Sequence, residues 1–112
     1  MTNISTTRRV VTTINTFTVE PQQQQRALEL LIEIARQLRA TVPGFLSANF
    51  HKSIDGTRVV NYAQYHSQEA VEEVTIKILR DTENPQLAEL RKIATPDMRT
   101  YEVCAILEGE DG

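Results

Sequence analysis

Asn15, Asn61 and Tyr65 are polar residues in segments that otherwise alternate towards an apolar face, and together they could do chemistry. Two amides and a phenol lining an apolar space suit a flat molecule with oxygens on its ring. A buried amide without a partner costs about 1–3 kcal/mol, so each of the three needs a ligand or a protein partner. The competing reading is that they satisfy one another, a water or the helix backbone. Amide donors from Asn15 and Asn61 would stabilise a developing phenolate oxygen, and Tyr65 could donate a hydrogen bond or stack. No residue on the apolar face is an obvious base, so the acidity of the ligand itself, increased by such donors, would have to serve.

Other chemistries find little support. His51 and His66 lack a second His, Cys or carboxylate at ligand spacing, so no metal site is expected. His51 falls on the opposite sheet face, where an interface hydrogen bond is the simpler role, and His66 reads as exposed. Cys104 is the single cysteine, which excludes a disulfide framework, and it reads as a small buried hydrophobe. Ser47 and Ser53 have no nucleophile-elbow context, and four glycines make no phosphate loop. Arg8, Arg9, Arg36 and Arg39 read as solvated charge.

The elements that must position the three polar residues follow from periodicity. Val10 to Val19 is rich in Val, Thr, Ile and Phe and reads as a strand with Thr13, Asn15, Phe17 and Val19 on one face. From Gln22 to about Ala40 the period becomes helical, with Ala27, Leu28, Leu31, Ile34, Ala35 and Leu38 on one stripe, and Pro43-Gly44 ends it. Phe45 to Ile54 and Arg58 to His66 read as a hairpin around Asp55-Gly56. That register sets Phe50 opposite Asn61, Ala48 opposite Ala63, and Leu46 opposite Tyr65. Phe17, Leu46, Phe50 and Ala63 are therefore expected to line the space with Asn15, Asn61 and Tyr65.

Ser67 is an N-cap for a second helix, and Asn84-Pro85 opens a short third one. Pro96-Asp97 is expected to break the chain before a last strand from Arg99 to Leu107 and an acidic tail from Glu108 to Gly112. The order β-α-β-β-α-β defines an α+β, ferredoxin-like subunit with a four-stranded antiparallel sheet. By fold-level analogy the strands run fourth, first, third, second, with both helices on one side. The other side carries Val10, Ile14, Val60, Tyr62, Cys104 and Ile106 among polar residues. Packing two such sheets face to face would cover it, so a homodimer is expected, against a monomer with a tolerably polar open face.

The chain of 112 residues reads as one domain with its core at about 10–107. A net charge of −3 argues against a nucleic-acid module. No apolar run approaches the roughly 20 residues of a membrane span. Met1 to Arg9 lacks an apolar signal core, so a cytoplasmic address is the default.

The stretch Pro43-Gly44-Phe45-Leu46-Ser47-Ala48-Asn49-Phe50-His51-Lys52-Ser53, followed by Asp55-Gly56-Thr57-Arg58-Val59-Val60-Asn61-Tyr62-Ala63-Gln64-Tyr65, resembles the antibiotic biosynthesis monooxygenase domain. Ile14 to Val19, Pro96-Asp97 and Tyr101-Glu102-Val103 fit it too, so the resemblance covers roughly residues 10 to 107. It implies a dimeric α+β barrel whose members oxidise phenolic, quinol or polyketide-type aromatic substrates with molecular oxygen and without metal or flavin. It implies catalytic roles for Asn61 and Tyr65, in positions where the family carries an asparagine and an aromatic, commonly tryptophan. A tyrosine that some members use has no match, since Val71 sits about there, and Arg80 or Arg91 could stand for a pocket arginine. A haem-degrading branch resembles the chain at Asn15, but it needs a second-helix histidine that Gln68 to Lys92 lacks. The resemblance also admits a non-catalytic module of this fold that binds a small molecule or serves assembly.

Overall fold

In a computed structural model, which describes residues 10–110, the chain forms four strands and three helices. Strand β1 is Val11–Val19, and its β-branched residues suit a pleated, half-buried surface. Pro21–Gln23 makes a short 3₁₀ turn that opens helix α1, Gln24–Thr41. Strands β2, Phe45–Lys52, and β3, Arg58–Tyr65, form a hairpin. Helices α2, Gln68–Arg80, and α3, Pro85–Ile93, precede strand β4, Ala94–Tyr101. The Ser67 hydroxyl caps α2 by accepting from the Ala70 amide, and Asn84 caps α3 by accepting from Gln86 and Leu87.

All pairings are antiparallel and the order is β2-β3-β1-β4, the expected ferredoxin-like arrangement. Antiparallel partners share a face, so the register sorts the side chains into cross-sheet rows. One row runs Phe50, Asn61, Asn15, Met98; the next runs Ala48, Ala63, Thr13, Thr100.

The core beneath the helices divides in two. Phe17, Val19 and Val59 pack with Ala27, Leu30, Leu31 and Ile34 of α1 and with Leu87 and Leu90 of α3. Ala63 and Tyr65 pack with Val42 and with Ala70, Val71 and Val74 of α2. On the sheet, the row holding Asn61 and Asn15 lies between these two clusters. Leu30, which the expected stripe omitted, is almost wholly buried, while Leu28 and Ala35 are only half-buried.

Three expectations need correcting. Pro96-Asp97 does not break the chain: it lies inside β4, with Pro96 opposite Phe17. An edge strand tolerates a proline because only one neighbour asks for its hydrogen bonds. The last strand therefore ends at Tyr101, and residues 102–109 have no regular secondary structure. Cys104 is exposed instead of buried, since it follows the strand's end. The third correction is at Leu46. The register shifts between Phe45 and Ser47, so that Phe45, not Leu46, stands opposite Tyr65. This is a β-bulge, with one extra residue on β2.

The hairpin keeps the expected register with a longer loop. Ser53 pairs with Arg58 through backbone hydrogen bonding, leaving Ile54 to Thr57 as the turn, and Gly56 adopts φ of 83°. The Asp55 carboxylate accepts from Thr57 and Ser53, which holds its pKa down at about 2. The buried Gln24 amide donates to the carbonyls of Ser53 and Arg58, both at 2.9 Å, and so ties the start of α1 to this hairpin. No helix among the described residues is long and apolar enough to cross a membrane. The expectations for Met1 to Arg9, and the end of the tail from Asp111, lie outside the described residues.

Candidate functional site

The polar residues that drew notice in the sequence sit where α2 crosses the sheet. Asn15 and Asn61 face each other directly across β1 and β3. Tyr65 lies four residues beyond Asn61 on the same face and is only 4% exposed. Its ring meets Phe45 edge to face, with centroids 5.6 Å apart. Burial pushes the Tyr65 phenol pKa up. The neighbouring Thr13 hydroxyl offsets part of that rise, without completing an aligned hydrogen bond to the phenol.

A hollow of about 160 Å³ lies between α2 and the sheet, with Asn15, Tyr65 and Thr13 on its floor and Val71, Val74 and Ile78 above. Asn61 lies one strand aside, and its Oδ1 is buried with no hydrogen-bond partner. A second, mostly apolar hollow of about 140 Å³ adjoins the first; Phe17, Leu31, Leu87 and Leu90 help to line it. Ile78 and Met98 border both. A cavity of about 150 Å³ takes one benzene ring, so each lobe has room for about one ring, with Ile78 and Met98 between the two.

The other expected residues are placed differently. Phe17 lines the apolar lobe. Leu46 and Phe50 border a separate groove between α1 and β2, with Arg36 and Arg39 at its edge. The bulge accounts for Leu46: the extra residue turns it away from Tyr65. Ala63 is fully buried beneath α2 and reaches neither lobe. Of the two arginines, Arg91 borders the apolar lobe, but its guanidinium donates to the carbonyls of Ile78 and Asp81 at the end of α2. Arg80 lies on a third and larger cavity of about 430 Å³, outside the sheet layer between α1 and α2. That groove has charged residues on its rim and holds none of the three buried polar atoms that lack partners, which belong to Thr13 on the inner hollow, Ser47 on the groove between α1 and β2, and Asn61.

Sequence reasoning missed Thr13, Ile78 and Met98. Met98 flanks Asn15 in its row and Thr13 lies in the next, so a β4 register starting at Ala94 would have found Met98. Among the described residues, no group of three His, Cys, Asp or Glu side chains is placed to hold a metal ion.

Residues 10–75 match the sequence profile described as antibiotic biosynthesis monooxygenase, which is more than half of the chain. The chain belongs to this family. Within it, the chain is 41% identical over 68 residues to the tetracenomycin-F1 monooxygenase of Streptomyces glaucescens, a match covering 61% of this chain and 61% of that relative. Among solved structures it resembles a monooxygenase from the gene ActVA-Orf6 of Streptomyces coelicolor, in complex with nanaomycin D. That similarity has 33% identity, a TM-score of 0.63, and coverage of 88% of this chain and 92% of the other. SnoaB, a cofactor-independent oxygenase from Streptomyces nogalater, shares the fold with a TM-score of 0.67 at 22% identity, over 89% of this chain and 98% of that one. The Asn15–Asn61 row and the two lobes are thus features of a chain in a family of monooxygenases.

Proposed function

We propose that this chain is a cofactor-independent monooxygenase that oxidises a phenolic, quinol or polyketide-type aromatic substrate with molecular oxygen. The observation that carries the reading is the Asn15–Asn61 amide pair, with Asn15 on the floor of a hollow the size of an aromatic ring and Asn61 Oδ1 beside it buried and unpartnered. Family membership and the tetracenomycin relative support it.

Ground-state oxygen reacts slowly with neutral closed-shell molecules, whereas a phenolate gives up one electron more readily. In the proposed reaction the substrate phenol loses its proton, and the anion passes one electron to oxygen. The phenoxyl radical and superoxide combine at a ring carbon. The O–O bond of the resulting peroxide then breaks as that carbon loses its hydrogen and becomes a carbonyl. The balance is one aromatic CH–COH unit plus O₂ giving a quinone plus water, with one atom of O₂ in the new carbonyl, the other in water, the phenol oxygen retained as the second carbonyl, and no further reductant. Amide donors of Asn15 and Asn61 stabilise the phenolate oxygen, and the neutral Tyr65 phenol donates to a second oxygen. The apolar walls hold the ring flat and exclude water.

The subunit acts as a homodimer through its uncovered sheet face. Ile14, Val60 and Tyr62 are half-buried there with no helix over them, and Tyr101, Ile106 and Leu107 are exposed near the chain's end. Sedimentation of wild type and Val60→Glu tests this: the wild type is expected at twice the monomer mass and the variant at the monomer mass. The chemistry is tested with an oxygen electrode, a panel of hydroquinones and anthrones, and a chelator present. Consumption above autoxidation that persists with chelator supports the reading. No consumption with any compound leaves a module that binds without turning over.

A further inference from the structure

We infer that Thr13 is a substrate-binding residue of this site: its hydroxyl, on the floor of the hollow, accepts a hydrogen bond from, or donates one to, a second oxygen of the aromatic ligand, apart from the one held by the amides. The inference deepens the ligand reading above and rests on it.

Thr13 is 6% exposed, and its Oγ1 is fully buried without a hydrogen-bond partner. A strand interior seldom keeps such an atom, because stranding it costs free energy that valine, of the same shape, would not incur. Thr13 borders the hollow together with Asn15 and Tyr65, and the Tyr65 phenol lies beside its hydroxyl without an aligned hydrogen bond between them. Its cross-strand partners are Ala63, which has no polar side chain, and Thr100 on the other flank. Thr13 and Asn15 are two residues apart on one strand face, about 7 Å along the strand. That spacing suits oxygens on opposite sides of a ring, or on different rings of a fused system, better than oxygens on one carbon or on adjacent carbons. The adjacent residue supplies the contrast. Thr12, on the other face, accepts from the Gln64 amide at 3.4 Å, so its hydroxyl has a partner. Of two neighbouring buried threonines, only the one bordering the hollow lacks an aligned hydrogen bond.

The test compares Thr13→Val, Thr13→Ser and Thr12→Val with wild type. The probes are a dihydroxyanthraquinone and hydroxyl-free anthraquinone, neither of which needs to turn over; binding is read by calorimetry and stability by thermal unfolding. Wild type should prefer the hydroxylated probe. Thr13→Val should lose about tenfold of that preference, equivalent to one hydrogen bond, while affinity for anthraquinone stays level and the unfolding temperature holds or rises. Thr13→Ser should restore the preference, and Thr12→Val should lower stability with the preference intact. A Thr13→Val protein that keeps the full preference, or that unfolds at a lower temperature, overturns the assignment, the second result by revealing a protein partner for the hydroxyl. Absence of any preference in wild type overturns it too. Binding as expected with no oxygen consumption leaves the assignment standing and removes only the oxygenase chemistry.

Discussion

Asn15 stands directly opposite Asn61 in the pairing of β1 with β3, and this amide pair lies between two otherwise apolar clusters of the core. A polar row interrupts packing that could have been continuous. With Phe17 and Val59 on one side and Ala63 and Tyr65 on the other, the amides mark where the helical layer parts.

Because Asn61 Oδ1 has no partner in the protein, removing the side chain should cost little stability, while turnover loses the Nδ2 amide donor. Asn61→Ala should lower kcat by about 100-fold, the scale of removing one donor to a developing oxyanion. Its unfolding temperature should stay near that of wild type. Unchanged kcat in steady-state oxygen uptake would place the chemistry elsewhere.

Ile78 borders both lobes and the outer groove between α1 and α2. Ile78→Ala should join the spaces and shift the preference towards larger ring systems, seen as a lower KM for a four-ring than for a two-ring hydroquinone. The cost in stability should be about 2 kcal/mol, since the side chain is only partly buried. Equal KM changes for both substrates would argue against a dividing role.

Tyr65 should remain a neutral donor throughout the neutral range, because burial raises its pKa above the ordinary value of 10.0. The folded state then holds its proton more tightly than the unfolded chain does. That contribution is complete below pH 10.0 and is lost as pH rises through the folded pKa. Denaturant unfolding at alkaline pH should show this loss in wild type, and Tyr65→Phe should lack that part of it.

Gly44 approaches α2 so closely that a Cβ there would overlap the Cβ of Ala70. Gly44→Ala should destabilise the fold by about 1–3 kcal/mol through overpacking. Ala70→Gly in the same chain should recover much of the loss. A double variant no more stable than Gly44→Ala alone would show that the contact is not the cause.

Much of the fold was legible because its signals are local. The Ser67 and Asn84 caps, the Asp55-Gly56 turn and the helical period of α1 each act over a few residues, and the hairpin register carried Asn61 and Tyr65 to one face. The errors arose where tertiary setting decides. Pro96 reads as a breaker until the strand is known to be an edge, and Cys104 reads as buried until the strand is known to end at Tyr101. Gln24 stands in a run of four glutamines, Gln22 to Gln25, that gives no local sign of a buried role, yet its amide fastens α1 to the hairpin. In the site, the amide pair followed from alternation, whereas Ile78 and Met98 as shared walls depend on how α2 and β4 lie over the sheet.

The irregularity at Leu46 offers a way of retuning this protein by length instead of by chemistry. One surplus residue near the start of β2 brings an aromatic edge, in place of a branched aliphatic, against the Tyr65 ring. Excising Leu46 would flatten the strand and leave Phe45 opposite Tyr65, whereas excising Phe45 would hand its place to Leu46, and in both cases every residue bordering the two lobes would keep its identity.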